Sequence, residues 1–425
     1  MRENRTYGSE GGAAEPNRPF LPLSTNQPLL AKRKATIATT MDALSLSSRS
    51  FAGAPWQAVR RVLLAVALIV GVVTPLLAAD RIVLRNLEIL RDQAVASFDE
   101  DGVRLEGGRT LTWDEIESGR VGEARQADFD RMLSDLGEPL YRIRQRLKVG
   151  DFRALSAPAE AAYPRYVGRR GASAYMVFQA TMWSRLASGR REAALEPYLR
   201  CLEHLRSVGQ ADVDLPGQRR LRFDPQTGMT PELLPVWFDQ VAARAAMPGV
   251  LEAIKKMTAP LPPAVHVYYG TLALAAGEES RAMQVFAGIE DEDGTVAELR
   301  EIAVAQREVS EGRPGEAADR LRARLDELSA ANKPLAIYWL GTALVQSDDD
   351  RSRKQGVLYL LHVPALYGAK HRDLAAAALY GARETLLRMN DQPGAESLGR
   401  ELEVNYARTF HALKVAGPRE SQDGK

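Results

Sequence analysis

Residues 266–286 read HVYYGTLALAAGEESRAMQVF, and this stretch decides the expected fold. Within it, Gly277 is followed by Ala282 and then by Phe286. In a paired-helix repeat, a glycine ends one helix, a small residue admits the neighbouring backbone and a large apolar residue fills the contact one turn later. The same spacing predicts two further helix pairs, at Gly189, Ala194 and Tyr198 and at Gly312, Ala317 and Leu321.

A second register of small residues lies seven positions before the turn glycines and continues beyond them. Its members are Gly270, Ala305, Gly341 and Gly381, at intervals of 35, 36 and 40 residues. A small residue at such a position lets two helices cross closely. The two registers together predict four or five paired helices.

This pattern resembles the tetratricopeptide repeat, which has a period near 34 residues. The family's large-then-small pair is matched by Tyr269-Gly270, Leu340-Gly341 and Tyr380-Gly381. The aromatic residue that the family places four positions earlier is missing, and its closing proline is irregular, so the repeats are tetratricopeptide-like and degenerate. The resemblance implies an α-solenoid, a right-handed superhelix whose inner groove receives a peptide or protein. A shortened array that packs on itself is the alternative.

Before the helices, the apolar period changes to two, which is typical of strands. We expect strands at 82–84, 87–90, 95–98, 103–105 and 111–113, in a small curled SH3-like sheet closed by an acidic helical turn at 114–117. Trp113 is expected to fill its core. The acidic turn at Asp99–Gly102 needs glycine for a positive φ. It lacks the end carboxylates of a calcium loop, as does the similar turn at 291–294.

The predicted fold class is therefore mainly α, with an α-solenoid of tetratricopeptide-like hairpins after a small β module. The expected organisation is a disordered extension with a basic end (1–61), an apolar signal region or membrane anchor (62–79), the β module (80–120), an irregular helical region with one hairpin (121–260), the repeats (261–415) and a disordered tail (416–425).

The irregular region contains a long connection, Ser207 to Thr230, rich in proline and glycine. We expect a solvated insertion there, and the alternative is an anionic contact through Arg219, Arg220 and Arg222. Pro231 is expected to open a helix that carries Trp237 and Phe238 as core residues, and a further helix is expected from about Val250 to Met257.

The N-terminal part has the pattern of a secretory signal. Residues 62–77 read VLLAVALIVGVVTPLL, follow Arg60 and Arg61, and lead to a cleavage position after Ala79. This predicts an exported, periplasmic protein, with Met41 as the start. The alternatives are an uncleaved inner-membrane anchor and a buried soluble helix.

Charge and cysteine content exclude several classes of protein. Of 56 basic and 55 acidic residues, nine and four lie in residues 1–79, so the remaining chain carries a net charge of −4. A mildly acidic body with interspersed signs makes nucleic acid an unexpected partner. Cys201 is the single cysteine, which excludes an internal disulfide framework and a cysteine-rich zinc site.

The sequence predicts no catalytic, cofactor-binding or metal-binding residue and does not identify the ligand-binding ones. The common nucleotide, esterase and metalloprotease motifs are missing. Cys201 is expected to be buried and inert, and the Asp348–Asp350 run to cap the next helix. The histidines are scattered: His204, His266, His362, His371 and His411.

The leading hypothesis is an exported bacterial-type scaffold that binds protein or peptide partners and is not an enzyme. The first alternative is an inner-membrane-anchored assembly factor with periplasmic repeats. The second is an enzyme with an unrecognised active site, which requires carboxylates or histidines to converge on a cleft.

Overall fold

The structure is a computed structural model that describes residues 80–91, 93–208, 221–289 and 294–416. By its contacts the chain divides into residues 1–75 and 76–425, and the described residues belong to the second unit. Outside the described residues lie the predicted extension, the apolar run at 62–79, Arg219, Arg220, the turn at 290–293 and the tail from 417. Within the described residues, no helix is both long and apolar enough to cross a bilayer.

The β module contains six short strands in two antiparallel, three-stranded sheets with the orders β2-β1-β6 and β3-β4-β5. The strands are β1 Arg81–Leu84, β2 Ile89–Arg91, β3 Val95–Asp99, β4 Gly102–Leu105, β5 Thr110–Leu111 and β6 Ile116–Arg120. The five predicted strands are present with small shifts in their bounds.

The turn between β3 and β4 shows why its glycine is needed. Asp99 Oδ1 accepts hydrogen bonds from the backbone N–H of Asp101, at 2.8 Å, and of Gly102, at 3.3 Å. Gly102 has a φ of +155°, and a Cβ there would collide with the carbonyl oxygen of Leu111. The acidic turn is therefore a structural feature of the hairpin.

The predicted helical turn at 114–117 is wrong in its extent. A single 3₁₀ turn covers Trp113–Glu115, and Ile116 begins β6, which pairs with β1 so that Leu84 faces Ile116. Ile116 is fully buried, whereas Glu117 and Ser118 are exposed. Pairing with a distant strand overrides the local acidic signal.

The core of the β module is completed by the first helix. Trp113 is fully buried, as predicted, and its indole N–H donates to the carbonyl oxygen of Asp99 at 2.7 Å. Its ring lies 5.2 Å from the ring of Phe129, which also meets Phe98 at 5.6 Å. Phe129 belongs to a helix, so the module depends on the helical part for its core.

The rest of the described chain is mainly helical. The helices are α1 Glu123–Met132, α2 Glu138–Val149, α3 Ser156–Tyr166, α4 Ala172–Ala187, α5 Arg191–Val208, α6 Gln240–Lys255, α7 Pro263–Ala276, α8 Glu279–Ala287, α9 Gly294–Ser310, α10 Pro314–Arg324, α11 Lys333–Leu344, α12 Asp350–Tyr367, α13 Arg372–Arg388, α14 Gln392–Asn405 and α15 Phe410–Ala416. One π-helical stretch, Leu133–Gly137, joins α1 to α2.

Consecutive helices pack on each other along most of this series. In addition, alternate helices contact each other in the order α7, α9, α11, α13 and α15. We call these five helices the odd layer. The even-numbered helices α8, α10, α12 and α14 pack beside them. Such repeat-like packing is consistent with an α-solenoid.

The turn glycines of the repeat spacing have the predicted backbone. Gly189, Gly277 and Gly312 have φ values of +71°, +81° and +75°, the left-handed conformation that ends a helix. The small and large residues that follow each glycine are buried: Ala194, Tyr198, Ala282, Phe286, Ala317 and Leu321. The first register of the sequence is therefore confirmed as a packing pattern.

Two of the four members of the second register, Gly270 and Gly341, lie at close crossings between the two helices of a hairpin. A Cβ built on Gly270 of α7 would lie 2.5 Å from the ring of Phe286 in α8. A Cβ on Gly341 of α11 would lie 2.8 Å from Cγ of Leu360 in α12. Both distances are too short for carbon atoms, so each crossing depends on the missing side chain.

The helix predicted from Pro231 is absent. Residues 231–239 are irregular, and the helix begins only at Gln240, where the Asp239 carboxylate caps it by accepting the backbone N–H of Val241 at 2.9 Å. The helix predicted at 250–257 is the second half of this longer α6. In the hairpin that contains Gly312, helix α10 ends at Arg324. Leu328 is buried, but it lies in the turn after this helix.

Candidate functional site

The connection before α6 is part of the core from residue 221 onward. We call residues 221–239 the buried segment. Leu221 and Phe223 are buried, and Leu233 and Val236 are fully so. The expectation of a solvated insertion is therefore wrong for Leu221, Phe223 and Thr227, whereas Arg222 and residues 224–226 are exposed. Trp237 is a core residue as predicted.

Helix α5 holds the buried segment by its backbone. Arg191 is buried, and its guanidinium donates to the carbonyl oxygens of Leu234 at 2.6 Å and Val236 at 2.9 Å. The Glu192 carboxylate accepts the backbone N–H of Phe238 at 2.8 Å and of Asp239 at 3.2 Å. These charged side chains satisfy backbone groups that a helix at 231–239 would have paired internally, which explains the missing helix.

The odd layer contacts the other side of the buried segment. The indole N–H of Trp237 donates to Thr271 Oγ1 in α7 at 3.0 Å. The Phe238 ring lies 6.5 Å from Tyr338 in α11 and 4.8 Å from His411 in α15. The chain thus covers with its own residues a helical face that the resemblance would leave open for a peptide.

The start of α5 also meets the end of the helical series. Arg191 forms an ion pair with Asp373 of α13 at 3.3 Å. A Cβ on Gly189 would lie 3.0 Å from the carbonyl oxygen of Arg408, just before α15. Gly189, the first turn glycine of the repeats, therefore packs on the turn between α14 and α15.

Beside this contact lies an open cleft of about 810 Å³ between α5, α6 and α15, which we call the end cleft. Helix α6 lines it with small residues: Ala242, Ala245, Ala246 and Gly249. Helix α15 contributes Phe410 and Leu413, and the side chain of Leu413 is 54% exposed. The end cleft is a mainly apolar surface that is accessible from outside.

The charged groups at the rim of the end cleft are engaged within the protein. Glu160 binds the guanidinium of Arg185 at 2.8 Å and that of Arg190 at 2.9 Å. The hydrogen bond from Arg185 holds the pKa of Glu160 below its ordinary value. Arg185 also donates to the carbonyl oxygen of Ala193 at 2.7 Å. These interactions fix the rim and leave the apolar floor as the accessible surface.

Most residues with catalytic potential lie apart, but His371, Glu232 and Asp373 line one pocket of about 210 Å³. Cys201 is fully buried in α5, and burial raises the pKa of its thiol, as expected for an inert cysteine. The histidines lie on separate elements: His204 on α5, His266 on α7, His362 on α12, His371 before α13 and His411 on α15. Burial, and next the nearby Lys414, lowers the pKa of His411 to about 4.

The Asp348–Asp350 run caps a helix, as predicted. The Asp349 carboxylate accepts the backbone N–H of Ser352 at 2.8 Å at the start of α12, and this hydrogen bond lowers its pKa. Among the residues that the structure describes, no group of three or more His, Cys, Asp or Glu side chains is arranged to hold a metal ion.

No family model, curated protein or solved structure matches the chain. The end cleft was not anticipated, although its signal is present in the sequence. Ala242, Ala246 and Gly249 are spaced by four and three residues and therefore share one helix face. Helix α15 lies beside this face because of contacts between residues that are far apart in the sequence, and a local pattern does not predict such contacts.

Proposed function

We propose that this protein is an exported, non-enzymatic scaffold that binds a helix of a partner protein in the end cleft. The proposal includes the finer architecture that the sequence suggests, a tetratricopeptide-like α-solenoid with an SH3-like β module. Export rests on the residues before position 80. If residues 62–79 are retained, the same scaffold acts as a membrane-anchored assembly factor.

The position of the end cleft in the helical series supports the proposal. Members of the odd layer contact one another in order up to α15, and the cleft lies between α15 and the helices α5 and α6. A further helix placed there would continue the series. Terminal repeats normally present a polar outer face, whereas α15 exposes Leu413. This exposed apolar residue beside the cleft supports docking of a further helix there.

The lining of the end cleft favours a helical partner. The exposed Ala245 and its small neighbours on α6 let another backbone approach closely. An amphipathic helix buries its apolar stripe in such a groove and keeps its polar side in water. The carboxylates at the rim, Glu192, Glu196 and Asp239, are held by hydrogen bonds and an ion pair within the protein, which supports a binding role for the cleft.

Site-specific photo-crosslinking tests the proposal. A photoreactive amino acid replaces Ala245 in the cleft or, as a control, the exposed Ala365 on α12. We expect a reproducible crosslinked polypeptide at position 245 only, attached through a helical segment. The purified partner should bind the unmodified protein, and Ala245→Arg should weaken binding about tenfold or more because it fills the groove, while Ala365→Arg should not.

Equal products at the two positions, no product at position 245, or binding that survives Ala245→Arg would each contradict the proposal. Unchanged thermal unfolding of both arginine variants shows that loss of binding is not loss of folding. Both alanines are exposed, so the substitutions leave the core intact.

A further inference from the structure

A second pocket, of about 290 Å³, lies between the loop after α3, the second half of α5 and the end of α6. We call it the basic pocket because four cationic side chains and one carboxylate line it: Arg169, Arg170, Arg200, Lys256 and Glu203. It shares no lining residue with the end cleft. The basic pocket is therefore a separate candidate site.

Two of its cations are neutralised by carboxylates of the protein. Arg200 binds Glu196 at 2.8 Å, one helical turn earlier in α5. Arg169 binds Glu100 and, at 3.6 Å, Asp101 in the β3–β4 turn. These pairs hold the two guanidinium groups in place and remove most of their attraction for an added anion.

Arg170 and Lys256, the other two cations, are exposed and form no ion pair within 4 Å among the residues described in the structure. The Glu252 carboxylate, which binds Lys255 at 2.7 Å, also attracts Lys256 and partly offsets its charge. The Glu203 carboxylate pairs with Arg206 at 3.5 Å and also accepts the N–H of Thr258 at 3.1 Å and the hydroxyl of the same residue at 2.6 Å. The pocket therefore carries excess positive charge at its rim, which favours an anionic ligand.

The inner wall of the basic pocket is rigid and partly apolar. Arg200 is 9% exposed and donates to the carbonyl oxygen of Val167 at 2.7 Å. The side chains of Phe178 and Leu199 are buried beneath it, and the Arg200 guanidinium lies 6.0 Å from the Phe178 ring. The His204 imidazole stacks on Tyr175 at 4.8 Å. The half-buried His204 imidazole thus offers a flat surface for an apolar group.

We propose that the basic pocket binds a small organic anion. Its carboxylate or phosphate group meets Arg170 and Lys256 at the rim, and its apolar part lies against the half-buried His204 imidazole. The volume admits one small molecule and not a folded domain. Carboxylate and phosphate share the chemistry that these cations recognise, so the experiment distinguishes them.

Isothermal titration of the full chain tests this site with phenyl phosphate, benzoate, inorganic phosphate and uncharged benzyl alcohol. We expect saturable binding of phenyl phosphate or benzoate at one site, with weaker binding of inorganic phosphate and of benzyl alcohol. The tighter of the two aromatic anions identifies the preferred group. Raised salt should weaken binding, because exposed charges are screened.

Variants locate the binding. The double variant Arg170→Gln with Lys256→Gln should weaken binding about tenfold or more. Lys255→Gln is the matched control, because Lys255 is adjacent, exposed and paired with Glu252 at 2.7 Å but does not line the pocket. Absence of binding by both aromatic anions, equal binding to the double variant and to wild type, or equally tight binding of benzyl alcohol would overturn the proposal.

Discussion

Gly270 shows how a missing side chain fixes the crossing of two helices. The Phe286 ring of α8 occupies the space where a Cβ of residue 270 would stand. Phe286 is 3% exposed, so surrounding side chains prevent its ring from moving aside. The sequence predicted this pair because both members recur at fixed spacing within one hairpin, where the helical period alone determines which residues meet.

Replacing Gly270 by alanine should destabilise the protein by about 1–3 kcal/mol, because the added methyl group overpacks the crossing. Gly315→Ala in α10 is the matched control, since no atom lies within 4 Å of a Cβ built there. That variant should be neutral or more stable by up to about 1 kcal/mol, because alanine favours the helix. Urea unfolding measures both. Equal loss of stability in the two variants would contradict the claim that the helix crossing at Gly270 excludes a larger side chain.

At the scale of elements, the buried segment differs most from the expectation. Pro231 and the aromatic pair at 237–238 favoured a helix by local pattern. In the structure, Arg191 and Glu192 instead form hydrogen bonds with the backbone of residues 234–239. These two residues lie more than 40 positions earlier in the sequence. Local propensity cannot predict such pairing, because the partners become neighbours only after α5 and the odd layer have packed.

Arg191→Met should destabilise the protein by about 3 kcal/mol or more, because two carbonyl oxygens and the Asp373 carboxylate lose a buried donor. Limited chymotrypsin digestion should then cut at 237–238, where the wild-type segment is protected. Arg190→Met is the control at the next, exposed position and should change stability by no more than about 0.5 kcal/mol. Protection of the segment in the Arg191 variant would show that the guanidinium does not hold it.

At the scale of the described chain, α15 joins distant parts of the fold. The His411 ring contacts Phe238 of the buried segment and lies 5.1 Å from Tyr380 of α13. The pKa of His411 is about 4, against an ordinary value of 6.5, because burial disfavours the charged ring. The unfolded chain therefore binds a proton that the folded chain excludes. The resulting stability is present above pH 6.5 and is lost as the pH falls from 6.5 toward 4.

Because of this histidine, the free energy of unfolding of the wild-type protein should decrease by about 2 kcal/mol when the pH is lowered from 7 to 5. His411→Phe keeps an aromatic ring in contact with Phe238 and Tyr380 but removes the titrating group. Urea unfolding at the two pH values should show the smaller decrease for the variant. The same decrease in both proteins would mean that His411 does not contribute to the acid sensitivity.

The sequence by itself determined the helical pairs, the positions of their turn glycines, the short strands and the burial of Trp113 and Cys201. These features depend on period, turn chemistry and side-chain size within a few tens of residues. Only the tertiary structure decided the course of the buried segment, the contact between the 189 turn and α15, and hence the end cleft. Arg191 and Asp373, which form part of that contact, are 182 residues apart. Their contact depends on how all the hairpins between them pack, and no local pattern in the sequence specifies this packing.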